Sequence, residues 1–337
     1  MRGDDNTQTR KIEALRHAMG PVIGNALDDP NVIEVMVNPD GRIWIDRLGT
    51  GIEATDEVIS SHDAESIIRL LADHAGVLVT AEQPRVSATL PVTNERFQGE
   101  FPPIVKSPCF AIRKPASFVF TLDQYAERGI MTPEQVVRIR QAIADHLNII
   151  VIGGTGSGKT TLLNAMLAED ALLNDRIILI EQTQELQCVA PNKVQLLTRE
   201  IEPLVTMRDL SRDSLRLRPD RIIYGEVRDG AAYDMVKGWN TGHPGGLGTL
   251  HANSPVDALY RIEDLIGEVV ERIPYRAIGS AINLIVEIKR IGSARKVTSI
   301  LRVLGYDKGN YVYESDDEGQ QIVKCNHNTA NLLSVEK

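Results

Sequence analysis

The eight residues Gly153-Gly154-Thr155-Gly156-Ser157-Gly158-Lys159-Thr160 constrain this chain more than any other feature of its 337 residues. They match G-x-x-x-x-G-K-[ST], follow the apolar run Asn148 to Ile152, and open into the apolar stretch Thr161 to Leu167. Strand, glycine-rich turn and helix in that order form a cradle for phosphate. The glycines let backbone N–H groups curl around anionic oxygens, and the helix start adds the positive end of its dipole. Lys159 is then placed to reach β- and γ-phosphates, and the Thr160 hydroxyl to bind Mg²⁺. The expected ligands are ATP and Mg²⁺, with Thr161 completing the binding segment in the first helical turn.

Further apolar strands end in acids. Arg221 to Gly225 closes on Glu226, and Arg176 to Ile180 closes on Glu181, with Glu185 four residues on. In open α/β sheets ligands bind at the carboxyl ends of strands, so all three carboxylates are candidates for the phosphate edge. Glu226 is the candidate general base, with Glu181 and Glu185 beside Mg²⁺-bound water and Glu181 a candidate metal ligand. The Gly-rich run Gly242 to Asn253 carries His243 and His251. Read as a flexible loop, it offers both histidines as sensors of the terminal phosphate.

Strands alternating with helices from Thr132 onward imply a parallel sheet covered on both faces. Thr132-Pro133-Glu134-Gln135 reads as a capping box with proline at the first helical position. Ahead of it, Ile33, Val35 and Val37 alternate up to the turn Asn38-Pro39-Asp40-Gly41, and Ile43 and Ile45 after it, which predicts a hairpin. Residues 63–75 carry apolar side chains at helical spacing, and 84–120 contains short β-like runs. The reading is an α/β chain: a smaller α+β domain over 1–120, a linker over 121–131, and a P-loop domain over 132–337.

No apolar run approaches the roughly 20 residues of a membrane-spanning helix, and the polar start is not a secretory signal, so a cytoplasmic protein is expected. Cys109, Cys188 and Cys325 are too scattered for a local zinc pair and are read as free thiols. A net charge of −9 and 4% aromatic residues count against a surface that grips nucleic acid directly. Arg208, Arg212, Arg216, Arg218 and Arg221 nonetheless form a local basic cluster, readable as a subunit interface, a solvated face or a nucleic-acid contact.

The P-loop, the Ile180-Glu181 box, Ile223-Tyr224-Gly225-Glu226-Val227-Arg228-Asp229 and the double-histidine run, in that order, resemble the secretion ATPases of type IV secretion, type II secretion and type IV pili. The stretch Val35 to Trp44 and Glu185-Leu186-Gln187-Cys188 look most like its conjugal-transfer branch. The resemblance implies a RecA-like ATPase domain and a hexameric homo-oligomer. It also implies an N-terminal domain that closes over nucleotide, and partners among the inner-membrane components of a conjugation apparatus, with peripheral membrane association. It further implies that Arg96 and Arg113 reach the nucleotide phosphates. Pilus extension or retraction, a DNA-translocating motor, and a regulatory subunit with little turnover remain alternatives. The last arises because Gln182 stands where the family carries an acid.

Overall fold

The computed structural model describes residues 2–93, 95–115, 119–199, 203–292, 294–315 and 322–326. The chain divides into two compact units, Met1–Phe118 and Val119–Lys337.

In the first unit, helix α1 (Arg2–Asp28) is followed by β1 (Val32–Val37), β2 (Arg42–Arg47), β3 (Gly51–Val58), α2 (Ser61–Ala75), β4 (Arg85–Thr89), β5 (Arg96–Glu100) and β6 (Cys109–Arg113). The strands form one antiparallel sheet in the order β3-β2-β1-β6-β5-β4. Successive side chains on a strand face opposite ways. Val35, Phe97 and Ile112 therefore turn into a core shared with Ile67, Ile68 and Leu71 of α2 and with Leu15, Met19 and Ile23 of α1. The hairpin around Asn38 to Gly41 forms as its alternation predicts. Helix α1 was not anticipated, although buried Leu15, Met19, Ile23 and Ala26 carry the helical spacing. Gly20-Pro21 masks it, and Gly20 adopts non-helical angles that kink the helix there.

The second unit begins at Val119, just ahead of the stretch read as a linker, and takes that stretch in. Residues 122–127 form α3 (Leu122–Glu127), held by a Thr121/Gln124 capping box and by burial of Leu122 and Tyr125. Six residues are too few for a periodic signal, which is why the sequence reads there as a break. Then come α4 (Pro133–Ala144), β7 (Ile149–Ile152), α5 (Lys159–Leu167), β8 (Ile177–Glu181), β9 (Lys193–Leu197), α6 (Met207–Ser214), β10 (Arg221–Val227), α7 (Ala231–Asn240) and β11 (Leu247–Leu250). The chain continues through α8 (Pro255–Gly267), α9 (Tyr275–Ala281), β12 (Leu284–Ile291), β13 (Ala294–Asp307), β14 (Asn310–Ser315) and β15 (Ile322–Asn326). The Thr132 capping box forms in full at the start of α4.

The sheet runs β15-β14-β13-β12-β7-β11-β10-β8-β9. Its six strands from β12 to β9 are parallel, and β13 to β15 extend it antiparallel, so the sheet is mixed rather than purely parallel. Strand β7 is buried on both faces: Ile150 and Ile152 enter one core with α7, α8 and α9, and Ile149 and Val151 enter another with α3, α4 and α5. This is the three-layer arrangement that a continuously apolar parallel strand requires.

The double-histidine run is the second departure. It contains β11, which lies in the middle of the sheet between β7 and β10, and is not a free loop. Gly246 serves packing: the Trp239 indole occupies the space a side chain there would need. Trp239 Nε1 also donates to Ile222 O at 3.1 Å.

Candidate functional site at the carboxyl edge of the parallel sheet

The phosphate loop joins β7 to α5, and its geometry follows from its glycines. Gly153, Gly156 and Gly158 have φ of 151°, 70° and 100°, a region that side chains disfavour. A side chain at Gly153 would also collide with Ile288 O, so the loop lies directly against β12. Helix α5 has no side-chain cap and no acid in its first turn, whereas α3, α4 and α6 each have a full capping box. An uncapped first turn leaves backbone N–H donors for an outside anion. Within the loop, the buried Ser157 hydroxyl has no hydrogen-bond partner. Gly-rich turn, uncapped helix and orphaned hydroxyl together fit a nucleotide phosphate chain.

Lys159 is almost fully buried, and its ammonium donates to Gly153 O at 3.0 Å and Gly154 O at 3.1 Å. The same nitrogen stands 3.3 Å and 3.4 Å from the two ring nitrogens of His251, which follows β11 directly. His251 Nε2 also lies 2.8 Å from Glu226 Oε1. Burial, and then the Lys159 charge, push the His251 pKa below the usual imidazole value. A neutral ring can accept from Lys159, while its approach to Glu226 is a close contact and not a hydrogen bond, since Glu226 Oε1 is buried without a hydrogen-bond partner. Three adjacent strands thus bring Lys159, His251 and Glu226 into one continuous chain of contacts.

Glu226 is also bound by Arg228, which donates to Oε2, and Arg228 donates to Gln182 Oε1 at 3.2 Å. Arg228 is the member of this edge that sequence reasoning missed. It sits two residues after Glu226, where β10 has just ended, and nothing in the spacing distinguishes it from a surface arginine. Thr249 in β11 adds a tether, donating to Gly225 O at 2.6 Å.

Glu181 lies at the same edge but in a different environment. It is 2% exposed, and its Oε1 accepts from the backbone N–H groups of Glu185 and Leu186, each at 2.8 Å. Its Oε2 is buried without a partner. Burial outweighs the two hydrogen bonds and pushes the carboxyl up to about 7. Glu185 is half-buried, and its backbone carbonyl accepts from Asn164 Nδ2 of α5 at 3.1 Å.

His243 does not join this site. It precedes β11, so the strand's length separates it from His251, and it lies at the amino edge with Nδ1 3.0 Å from Pro219 O. The loop reading failed there because a central strand runs between the two histidines. Arg221 leaves the basic cluster for a related reason. It starts β10, is fully buried, donates Nε to Asp175 at 2.5 Å and Nη1 to Ile143 O at 2.9 Å, and so is an internal brace. Arg208 and Arg212 both pair with Asp234 of α7, at 2.8 Å and 3.4 Å.

In the first unit, register sets Asp46, Glu34, Arg113, Arg96 and Thr89 in one transverse row across β2, β1, β6, β5 and β4. The row lies on the face opposite the core residues Val35, Ile112 and Phe97. Arg96 and Arg113 are therefore side-by-side neighbours. Burial raises the Glu34 pKa, and the two arginines partly oppose that rise.

A parallel sheet with the phosphate-loop strand beside β11, and β11 beside the acid-ended β10, defines a P-loop NTPase of the RecA-like type. The chain belongs to the type II/IV secretion system protein family, whose model matches residues 23–329. It is 45% identical over 309 residues to the probable conjugal transfer protein TrbB of Sinorhizobium fredii, covering 91% of this chain and 94% of that one. Against the type IV secretion system protein VirB11 of Bartonella henselae the identity is 31%, over 82% of this chain and 90% of the relative. The fold is shared with the Legionella pneumophila ATPase DotB at TM-score 0.56 and 19% identity, covering 84% of this chain and 79% of that one. The chain is an ATP-hydrolysing enzyme of this family.

Proposed function

We propose that this chain is the ring-forming ATPase that powers a bacterial conjugative type IV secretion apparatus. The observation that carries this reading is the Lys159–His251–Glu226 chain, in which a phosphate-loop cation, a neutral imidazole and a carboxylate from adjacent strands share one edge. ATP would lie on the segment Gly153 to Thr161. Gly153, Gly154, Thr155, Gly156, Ser157 and Gly158 offer backbone and hydroxyl donors, and Lys159 exchanges its loop carbonyls for β- and γ-phosphate oxygens.

Mg²⁺, held by Thr160 together with the phosphates and flanked by Glu181, would neutralise charge developing on the transferred phosphoryl group. Glu226 takes the proton of the attacking water. For that it must give up part of its contact with Arg228, which can swing wholly to Gln182 or to a phosphate. His251 reports the Lys159 contact to Glu226, so occupation of the phosphate loop and readiness of the base are coupled through one ring. Glu185 holds the loop after β8 in place. His243, at the amino edge, has no part in this scheme.

Arg96 and Arg113 form a pair suited to an anion shared between them, since guanidinium forks match phosphate geometry. Their role would be to close the first unit over nucleotide, within one protomer or across a hexameric interface. Partners would be inner-membrane components of the transfer apparatus, with the ring on its cytoplasmic side. No helix among the described residues is long and apolar enough to cross a membrane.

Light scattering of the full chain at micromolar concentration with Mg²⁺ and a non-hydrolysable ATP analogue tests the ring. A hexamer is expected, weakened in the Arg96→Ala, Arg113→Ala double variant, which also slows hydrolysis. A species that stays monomeric with full turnover overturns the ring. A second reading, a nucleotide-binding regulator with little turnover, rests on Gln182 lying against Arg228 where the family has an acid. Gln182→Asp then raises turnover from near zero.

A further inference from the structure

The β12–β13 hairpin runs beyond the sheet at the same edge as the phosphate loop. Ile288 O packs on Gly153, and across the hairpin Arg290 pairs with Arg295 and Lys289 with Lys296. Its cations are not equivalent. Lys289 binds Glu287 at 2.8 Å, and Arg290 Nε donates to Gly292 O at 3.1 Å. Arg295 instead bends over the loop. Its Cδ and Nε lie 3.0 Å and 3.4 Å from where a side chain on Gly158 would begin. Arg295 Nε is buried without a hydrogen-bond partner, and among the described residues no carboxylate forms an ion pair with this guanidinium. The backbone behind it is fixed, because Val297 N donates to Ile130 O at 2.7 Å.

A buried, unpartnered guanidinium nitrogen is costly, and one held against the glycine before the loop's lysine sits where α- and β-phosphate oxygens are cradled in such loops. We propose that Arg295 is a nucleotide-binding residue of this site, contacting the α/β-phosphates from the C-terminal hairpin of the same protomer. The inference rests on the phosphate-loop reading above and adds a cation remote in sequence from every motif of the loop. An arginine suits the position because its charge persists at any working pH and its fork can bridge two phosphate oxygens. Its absence from the sequence reading has a plain cause: only the hairpin register brings residue 295 beside residue 158.

The test compares Arg295→Met, which keeps the stem that covers Gly158, with Arg295→Lys, which keeps the charge. Binding of ADP with Mg²⁺, and separately of inorganic tripolyphosphate, is measured by calorimetry on the full chain, alongside steady-state hydrolysis and melting without ligand. Arg295→Met is expected to weaken both ligands by about tenfold or more, the loss typical of a hydrogen bond to a charged group. KM should rise more than kcat falls, with the ligand-free melting temperature unchanged and much of the affinity restored in Arg295→Lys. Parental affinity for both ligands in Arg295→Met overturns the inference and leaves the phosphate-loop reading intact. Weakened ADP with unchanged tripolyphosphate assigns the arginine to the base and overturns the phosphate contact. A large drop in ligand-free melting with no rescue by lysine makes it a packing residue, which also overturns it. A parental chain that binds neither ligand overturns the underlying site itself.

Discussion

The two edges of the central sheet use the same residue types in opposite ways. At the amino edge Arg221 is saturated by Asp175, the Ile143 carbonyl and the His146 ring, which stands 3.3 Å from Nη2. Asn148 laces β7 to its neighbours there, donating to Ala281 O and accepting from Gly246 N. At the carboxyl edge Lys159 and Glu226 divide themselves between partners they can surrender. Lys159 spans two loop carbonyls and an imidazole, while Glu226 spans His251 and Arg228. Buried charge with complete, fixed partners braces a fold, whereas charge with exchangeable partners is available to a ligand. The comparison also explains the two histidines, since one sits at each edge.

The sharpest way to break this contrast is Glu226→Gln. It keeps size and hydrogen bonding but removes the base, so turnover should fall about 10²–10⁴-fold while ATP binding by calorimetry stays parental. Near-parental turnover, with Glu181→Gln inactive, would move the base to β8. At the other edge, Arg221→Met should leave nucleotide binding by folded protein intact but destabilise the unit by about 3–5 kcal/mol, because Asp175 loses its buried partner. Urea melts measure it, and a loss confined to turnover would abolish the distinction between the edges.

A smaller effect concerns Glu181. Its folded pKa, about 7 against 4.5, is raised for an acid, so the folded state binds the extra proton between those values. Stability from this group is therefore fully present below pH 4.5 and is lost as pH rises through about 7, by roughly 3 kcal/mol at most. Glu181→Gln should flatten that part of the pH-stability curve of the nucleotide-free protein. An unchanged slope between pH 5 and 7 would show that Glu181 is solvated as an ordinary carboxylate. The smallest contrast is between the histidines. His251→Ala should slow turnover about tenfold by removing the link between Lys159 and Glu226, and His243→Ala should stay within about twofold. Equal effects would mean that position along β11 does not matter.

Much of this was legible in the linear chain. Gly153 to Thr160 is contiguous, so its loop geometry follows from glycine and helix start alone. Glu226 and Glu181 were found because an apolar strand closed by an acid delivers that acid to a known edge. The α4 cap was readable because both partners lie within one turn. Helix α1 was readable too, from Leu15, Met19, Ile23 and Ala26, and was lost only to the Gly20-Pro21 punctuation.

What the sequence determined by itself is therefore whatever is set by neighbours along the chain: the phosphate loop, the strand-end acids, the caps and the α/β alternation. Tertiary structure decided everything that depends on which strands lie side by side. Placing β11 between β7 and β10 chose His251 over His243 and brought it to Lys159. Pairing β5 with β6 and β1 set Arg96, Arg113 and Glu34 in one row. Burying the start of β10 turned Arg221 from a surface cation into a brace, and folding β13 back on β12 put Arg295 against Gly158. Local backbone preference acts over a few residues, while electrostatic partnership acts through space, so the roles of separated charges are fixed only when the sheet order is.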